Sequence, residues 1–166
     1  MDEVVADVFT WAWFSEPHGY DFNGHLVRCA EGNLCIDPVR PTDACLAEIA
    51  RMGVVKILLT NRNHSRAANL VRERTGARTL IHPDDAAHAR SQGAEIDGPL
   101  NVGETVGRVV HVLAQESDSA RRGGRSLGLR LAHRALRGLL GGRSLARRGP
   151  LLRRGLLRCL LPCGHG

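Results

Sequence analysis

A change in hydrophobic period after Pro38 is the feature that most constrains the fold. Before it, residues 4–14 alternate with a period of two and are rich in aromatic and branched side chains, which is typical of a strand. Asn23-Gly24 and the segment at 31–33 are turn signals. The chain is therefore predicted to open as a β meander with strands at 4–14, 25–30 and 34–37.

Helices and buried strands alternate in the next part of the chain. Thr42 is expected to cap a helix that ends at Gly53. Residues 54–59 are almost wholly apolar, as strands buried on both faces are. The pattern also predicts helices at 65–75 and from Pro83 onward, and strands at 78–81, 94–96 and 108–113. Strands followed by β-α-β units predict a layered α/β sandwich.

Composition divides the chain into two parts. Residues 1–115 carry 11 Lys or Arg and 15 Asp or Glu, and they contain all six aromatic residues. Residues 116–166 carry 12 Arg and two acidic residues, and only eight residue types occur from Ser119 onward. We therefore assign residues 4–115 to an ordered domain and residues 116–166 to an irregular or helical Arg-rich tail.

Three interpretations of the tail are open. The first is a disordered basic tail that contacts phosphates, in which residues 127–140, taken alone, have the pattern of a basic amphipathic helix for nucleic acid or an anionic membrane surface. A folded structural segment is the second. The third is an out-of-frame reading, because the composition that begins near Ser117 is what GC-rich DNA encodes in a shifted frame. In that case the charge of the tail carries no functional message.

Other sequence features exclude some classes of protein. No apolar run reaches the roughly 18 residues of a membrane span, and the start is acidic, so we expect a cytoplasmic protein. The five cysteines form no CxxC pair, which argues against a disulfide framework or a zinc ribbon. The spacing of Cys159, Cys163 and His165 fits no common zinc knuckle.

The segment after the strand at 54–59 is the candidate site, because α/β sheets place ligands at the carboxyl ends of their strands. It reads Thr60-Asn61-Arg62-Asn63-His64-Ser65-Arg66. With the opening hairpin, the Ile36-Asp37-Pro38 segment and the helix before the strand, this setting resembles the first half of the metallo-β-lactamase fold. The resemblance implies a four-layer αββα sandwich, of which residues 4–115 supply the first half.

The same resemblance identifies a degenerate metal loop. In active members the Thr is followed by His-x-His-x-Asp-His, which holds one or two metal ions that activate a water. By position, the two leading histidines become Asn61 and Asn63, the Asp becomes Ser65 and the last His becomes Arg66. His64 occupies a spacer position. The family's later Gly-His-Thr-Pro-Gly loop also has no counterpart at 114–118.

Three roles for this loop stay open. Asn61, Asn63 and Ser65 would hold a tight loop and cap the next helix. Alternatively, Asn61, Arg62, Asn63 and Arg66 would bind a small anion such as phosphate or carboxylate. In the third role, His64 would retain zinc together with distant histidines, namely His18, His25, His82 and His111.

Two further residue sets have a structural and a functional interpretation. Asp37 is expected to accept hydrogen bonds from nearby loop N–H groups, with catalysis as the alternative. The stripe of Phe9, Trp11 and Trp13 is expected to lie in the core, with a substrate cleft as the alternative.

The sequence therefore predicts a metallo-hydrolase-like protein without the usual metal centre and without a cofactor, acting as a non-catalytic or anion-binding domain. The alternatives are a divergent hydrolase that uses zinc and a nucleic-acid binder that acts through the tail. Half a sandwich leaves one sheet face uncovered, which predicts a homodimer or a tail packed on that face.

Overall fold

The computed structural model describes residues 1–115 and 126–131. Its secondary structure, in chain order, is β1 (Asp2–Val5), β2 (Val8–Ser15), β3 (Tyr20–Val27), β4 (Asn33–Ile36), α1 (Asp43–Met52), β5 (Val54–Leu59), α2 (Ala68–Thr75), β6 (Arg78–Ile81), α3 (Pro83–Ser91), β7 (Gly98–Pro99), β8 (Thr105–Val106), β9 (Val110–Gln115) and β10 (Ser126–Leu131).

Two sheets form the framework. The first has seven strands in the order β1-β2-β3-β4-β5-β6-β7. Strands β1 to β4 pair antiparallel, and β4 to β7 pair parallel. The second sheet is antiparallel, with the order β10-β9-β8. The parallel half of the large sheet brings the carboxyl ends of β4, β5 and β6 to one edge.

Two apolar cores lie on opposite faces of the large sheet. On one face, Ile57 of β5 packs with residues of all three helices, including Ile49, Val71 and Ala89. On the other face, Leu58 packs with residues of the second sheet. Strand β5 is thus buried on both faces, as its apolar sequence predicts. The layers run helices, large sheet, small sheet, which is the first half of an αββα sandwich.

The aromatic stripe of the first strands belongs to the helix-side core. Trp11 is 6% exposed, and Phe9 and Trp13 are partly buried against the same core. The indole N–H of Trp11 also donates to the backbone oxygen of Val39, at 3.0 Å. This bond ties the meander to the connection that follows β4.

The predicted turns of the meander are wrong in two places. The strand at 4–14 is two strands, because the chain reverses at Ala6-Asp7, where Asp7 has a φ of 66°. The predicted Asn23-Gly24 turn lies inside β3, where Gly24 pairs with Trp11. A Cβ on Gly24 would lie 2.7 Å from Cε2 of the Trp11 ring and closer still to Cζ2. The glycine is therefore needed for packing and not for a turn.

The helices agree with prediction more closely than the last strands do. The Thr42 hydroxyl accepts the N–H of Cys45, and Gly53 ends α1 with a φ of 78°. Helix α2 begins at Ala68, three residues later than predicted. The strand predicted at 94–96 is wrong, since β7 lies at Gly98–Pro99. The last predicted strand is shifted to Val110–Gln115.

Part of the tail is a strand. Ser126–Leu131 pairs antiparallel with β9, so the helix predicted for 127–140 is wrong over 127–131. The remainder of that prediction, with Cys159, Cys163 and His165, lies outside the described residues. The domain boundary at 115 stays a prediction. Within the described ranges, no helix is long and apolar enough to cross a membrane.

Candidate functional site

The candidate site lies where three parallel strands end. Asp37 follows β4, residues 60–66 follow β5, and His82 leads from β6 into α3. The backbone N–H of Asp37 donates to the oxygen of Leu58, and that of Ala67 donates to the oxygen of Pro38. These bonds hold the connections after β4 and β5 against each other.

Asp37 is the buried centre of this arrangement. It is 4% exposed, and its φ of 45° lies in the left-handed region, which Asp tolerates better than most residues. Its Oδ1 accepts the N–H of Thr60 at 2.8 Å, and its Oδ2 accepts the Thr60 hydroxyl in a short hydrogen bond. The carboxylate is thus bonded to the first residue of the candidate loop.

His64 forms an ion pair with the same carboxylate. Its Nδ1 lies 3.0 Å from Oδ2 of Asp37 and 3.3 Å from the Thr60 hydroxyl. Burial lowers the pKa of His64, but the charge and hydrogen bond of Asp37 raise it by more, so the pKa lies above its ordinary value. Because Nδ1 donates to Asp37, the other ring nitrogen, Nε2, faces away from the buried carboxylate.

The side chain of Asn61 stabilises a turn in the loop. The N–H of Asn63 donates to Oδ1 of Asn61 at 2.9 Å, and the N–H of His64 donates to the Asn61 backbone oxygen. This is an Asx turn. Ser65 does not cap α2, because the N-cap is Ala67 and no side chain bonds the helix start. The predicted capping role of Ser65 is therefore wrong.

Two arginines flank His64. The guanidinium of Arg66 lies 3.9 Å from the centroid of the Phe22 ring, a cation–π contact. Burial lowers the pKa of Arg66, while the charges of Asp37 and Tyr20 raise it. Neither Arg62 nor Arg66 forms a salt bridge with any residue among 1–113, although both have acidic groups nearby.

The acidic group near Arg62 is Asp85 of α3. Asp85 is 2% exposed, and its Oδ2 has no hydrogen-bond partner among the described residues. Burial raises the pKa of Asp85, and the positive charges of Arg62 and His82 lower it by less. The net effect favours the neutral acid relative to an ordinary aspartate.

The four distant histidines do not gather around His64. His18 bonds Ser15 at 2.8 Å, His82 lies beside Asp84, and His111 bonds Thr105 at 2.7 Å on the second sheet. His25 lies on β3, and burial lowers its pKa although the charge of Asp37 raises it. Of these four histidines, His25 is the one that lies near the same carboxylate as His64, since the charge of Asp37 acts on both.

The donor set does not fit the family's metal centre. Asn61, Asn63, Ser65 and Arg66 stand at the ligand positions, and His64 is the one imidazole of the loop. Within the described residues, no group of three or more His, Cys, Asp or Glu is arranged to hold a metal ion. A guanidinium beside the loop also opposes a cation.

The sequence located the loop but missed several of its neighbours. The sequence marks Tyr20 and Phe22 only as aromatic residues between the first two predicted strands, and Asp85 only as part of a helix start. The Asp37–His64 pair joins two separate connections of the sheet, so no local spacing reveals it. The one available signal was that both residues follow the carboxyl ends of adjacent buried strands.

Layer order, sheet topology and a polar loop after β5 define an α/β sandwich protein of metallo-hydrolase type. Residues 3–124 match the family model of the metallo-beta-lactamase superfamily. This chain therefore belongs to the metallo-beta-lactamase superfamily. None of the curated protein sequences matches it.

Solved structures share the fold. A metallo-beta-lactamase from Hirschia baltica is 15% identical with a TM-score of 0.58, over 79% of this chain. One from Pontibacter korlensis is 16% identical with a TM-score of 0.59, over 78%. TTHA1623, solved in a di-iron-bound form, is 23% identical with a TM-score of 0.51, over 72%. In each comparison the chain covers 65% of the other protein's length.

Proposed function

We propose that this metallo-beta-lactamase superfamily domain binds a small oxyanion through Arg62 and Arg66 and acts without the family's dinuclear metal centre. The observation that carries the proposal is the charge of the loop after β5. In the loop where the family places metal ligands, this chain has Arg66 at a ligand position and Arg62 at a spacer position, and neither forms a salt bridge with residues 1–113. It is thus a binding domain rather than a hydrolase.

The surroundings of the two arginines support an anion as the ligand. The carboxylate of Asp37 is already bonded by Thr60 and His64, so it competes weakly for the guanidinium groups. The carboxyl of Asp85 has a raised pKa because it is buried. Phe22 holds the guanidinium of Arg66 in place, which lowers the entropy lost when an anion is bound.

The chemistry of guanidinium groups sets the ligand class. Their planar N–H edges match the oxygens of phosphate, sulfate and carboxylate, and two groups can contact one anion. A cytoplasmic location, a homodimer and nucleic-acid binding by the tail stay sequence-based predictions.

Sulfate titration of the full chain tests the proposal. We expect saturable binding by the wild type and a loss of affinity of about tenfold in Arg66→Gln, which removes one charge-assisted contact. Arg62→Gln is expected to act in the same direction. Calorimetry or the chemical shifts of the loop amides would give the dissociation constants.

The matched control is Arg51→Gln. Arg51 is an exposed residue in the last turn of α1, where it pairs with Glu48 at 3.9 Å, and α1 leads into the amino end of β5. This variant should bind sulfate as the wild type does. Absence of saturable binding in the wild type, or equal weakening in Arg51→Gln and Arg66→Gln, would overturn the proposal.

A further inference from the structure

The net charge beside the loop changes when His64 gains or loses a proton. Arg62 and Arg66 each carry a positive charge, and Asp37 carries a negative one. When His64 is neutral, Asp37 offsets one arginine. When His64 is protonated, its charge offsets Asp37 and both arginines are left for an incoming anion. A single titration therefore changes how strongly this edge of the sheet attracts an anion.

The geometry of His64 suits a direct contact with that anion. Its Nδ1 is held by Asp37 and Thr60, which fixes the orientation of the ring. Nε2 lies on the opposite side of the ring, and it takes part in none of the hydrogen bonds that the structure shows among residues 1–113. The side chain is 27% exposed, so solvent and a small ligand can reach it.

We propose that His64 is a third binding group of the anion site: its protonated ring donates from Nε2 to the oxyanion, and Asp37 is its positioning residue. This inference rests on the proposed anion-binding function. It makes binding strongest in acid and weakest once His64 has lost its proton. The ligand class narrows to oxyanions that keep their charge in acid, such as sulfate and phosphate esters.

The charged groups around His64 agree with this direction. Burial and the charge of Arg66 lower the pKa of His64, and the charge and hydrogen bond of Asp37 raise it to a net value above the ordinary one. His25 has a pKa lowered by burial, although the charge of Asp37 raises it, so it loses its proton at a lower pH than His64 does. The charged and titratable groups around His64 and the two arginines are Asp37 after β4, His25 and Tyr20 on β3, and Asp85 on α3.

Sulfate is the probe, because it does not titrate in the range where histidine does. We expect the full chain to bind sulfate about tenfold more tightly near pH 5.5 than near pH 8.5. By thermodynamic linkage, saturating sulfate should raise the pKa of His64 by about one unit, which corresponds to the same tenfold coupling, as measured from its ring proton shifts by NMR. His64→Gln should bind weakly and without this dependence on pH.

Two further variants test whether the pH dependence of sulfate binding comes from His64 and Asp37. His111→Gln alters a histidine of the second sheet and should keep the wild-type profile. Asp37→Asn should keep the amide–carbonyl contact with Thr60 but lose the charge that stabilises the imidazolium, so the midpoint of the profile should move to lower pH. A purely structural Asp37 would leave that midpoint unchanged.

The outcomes are distinguishable. Saturable sulfate binding with equal affinity near pH 5.5 and pH 8.5 would overturn the role of His64 and leave the anion site standing. A sulfate-independent pKa of His64 would overturn it as well. A wild-type protein that binds no sulfate at either pH would remove the anion site itself, and the role of His64 with it.

Discussion

Gly24→Ala is expected to lower the free energy of unfolding by about 3 kcal/mol, as measured by urea denaturation of the full chain. The added Cβ would lie 2.7 Å from Cε2 of Trp11, which is inside van der Waals contact. The indole ring is buried and its N–H is bonded to Val39, so it cannot move without losing that bond. The expected loss therefore combines overpacking with a weakened hydrogen bond.

Gly53→Ala is the matched control for this prediction. Nothing lies within 4 Å of a Cβ at Gly53, but its φ of 78° is unfavourable for alanine. That variant should lose about 1 kcal/mol through backbone strain alone. Gly24 has no positive φ, and alanine is preferred to glycine in a strand. A Gly24→Ala variant as stable as the wild type would show that Trp11 does not pack over this position.

Asp37→Ala is expected to lower the free energy of unfolding by about 2–4 kcal/mol. The change leaves the buried N–H of Thr60 without its acceptor and His64 without its counter-ion. It also places alanine at a φ of 45°, which favours Asp and Asn. Thermal and urea unfolding, followed by circular dichroism, would measure the loss.

Asp37→Asn separates the contribution of the hydrogen bond with Thr60 from that of the charge that pairs with His64. Asparagine tolerates the same φ and offers one oxygen to the Thr60 N–H, so most of the backbone stability should return. The remaining deficit in the free energy of unfolding should be largest in acid. Burial lowers the pKa of His64, but Asp37 raises it by more in the folded protein, so this pair stabilises the fold below the unfolded pKa of about 6.5. The stabilisation is lost as the pH rises through the pKa of the folded state. A deficit that is the same at all pH values would contradict the Asp37–His64 ion pair.

The order of elements could be predicted because each has its own period. Residues 54–59 are apolar except for Lys56, and α1 has both its cap at Thr42 and its terminating Gly53. The turn at Ala6-Asp7 could not be predicted, since the alternation of residues 4–14 continues through it. The turn predicted at Gly24 is wrong for a related reason. The sequence does not distinguish a glycine that makes room for Trp11 from a glycine that allows a turn.

The position of the candidate loop after a buried strand was predicted well, and its internal contacts less well. A buried strand followed by a polar loop marks the carboxyl end of a sheet, which places residues 60–66 correctly. Ser65 looked like an N-cap because it is a short polar residue before a helical pattern, but the Asx turn of Asn61 delays the helix to Ala68. The Asp37–His64 pair depends on which strands are neighbours, and that is tertiary information.

The residues that replace the family's metal ligands change the charge of the loop in one direction. A metal site gathers neutral imidazoles and carboxylates around a cation. Here the same segment carries Arg62 and Arg66, and the carboxylate that acts on Arg66, Asp37, is paired with His64. We propose that the electrostatic preference of the position is thereby reversed from cations to anions. This reversal underlies both the anion site and the role of His64.

Metal content measures the central claim most directly. The full chain is dialysed against zinc and then against metal-free buffer, and zinc and iron per chain are measured by mass spectrometry before sulfate is titrated with and without a chelator. We expect far less than one metal ion per chain and a sulfate affinity that the chelator does not change. Stoichiometric zinc or iron that is lost in His64→Gln, with sulfate binding that the chelator abolishes, would contradict a metal-free anion site.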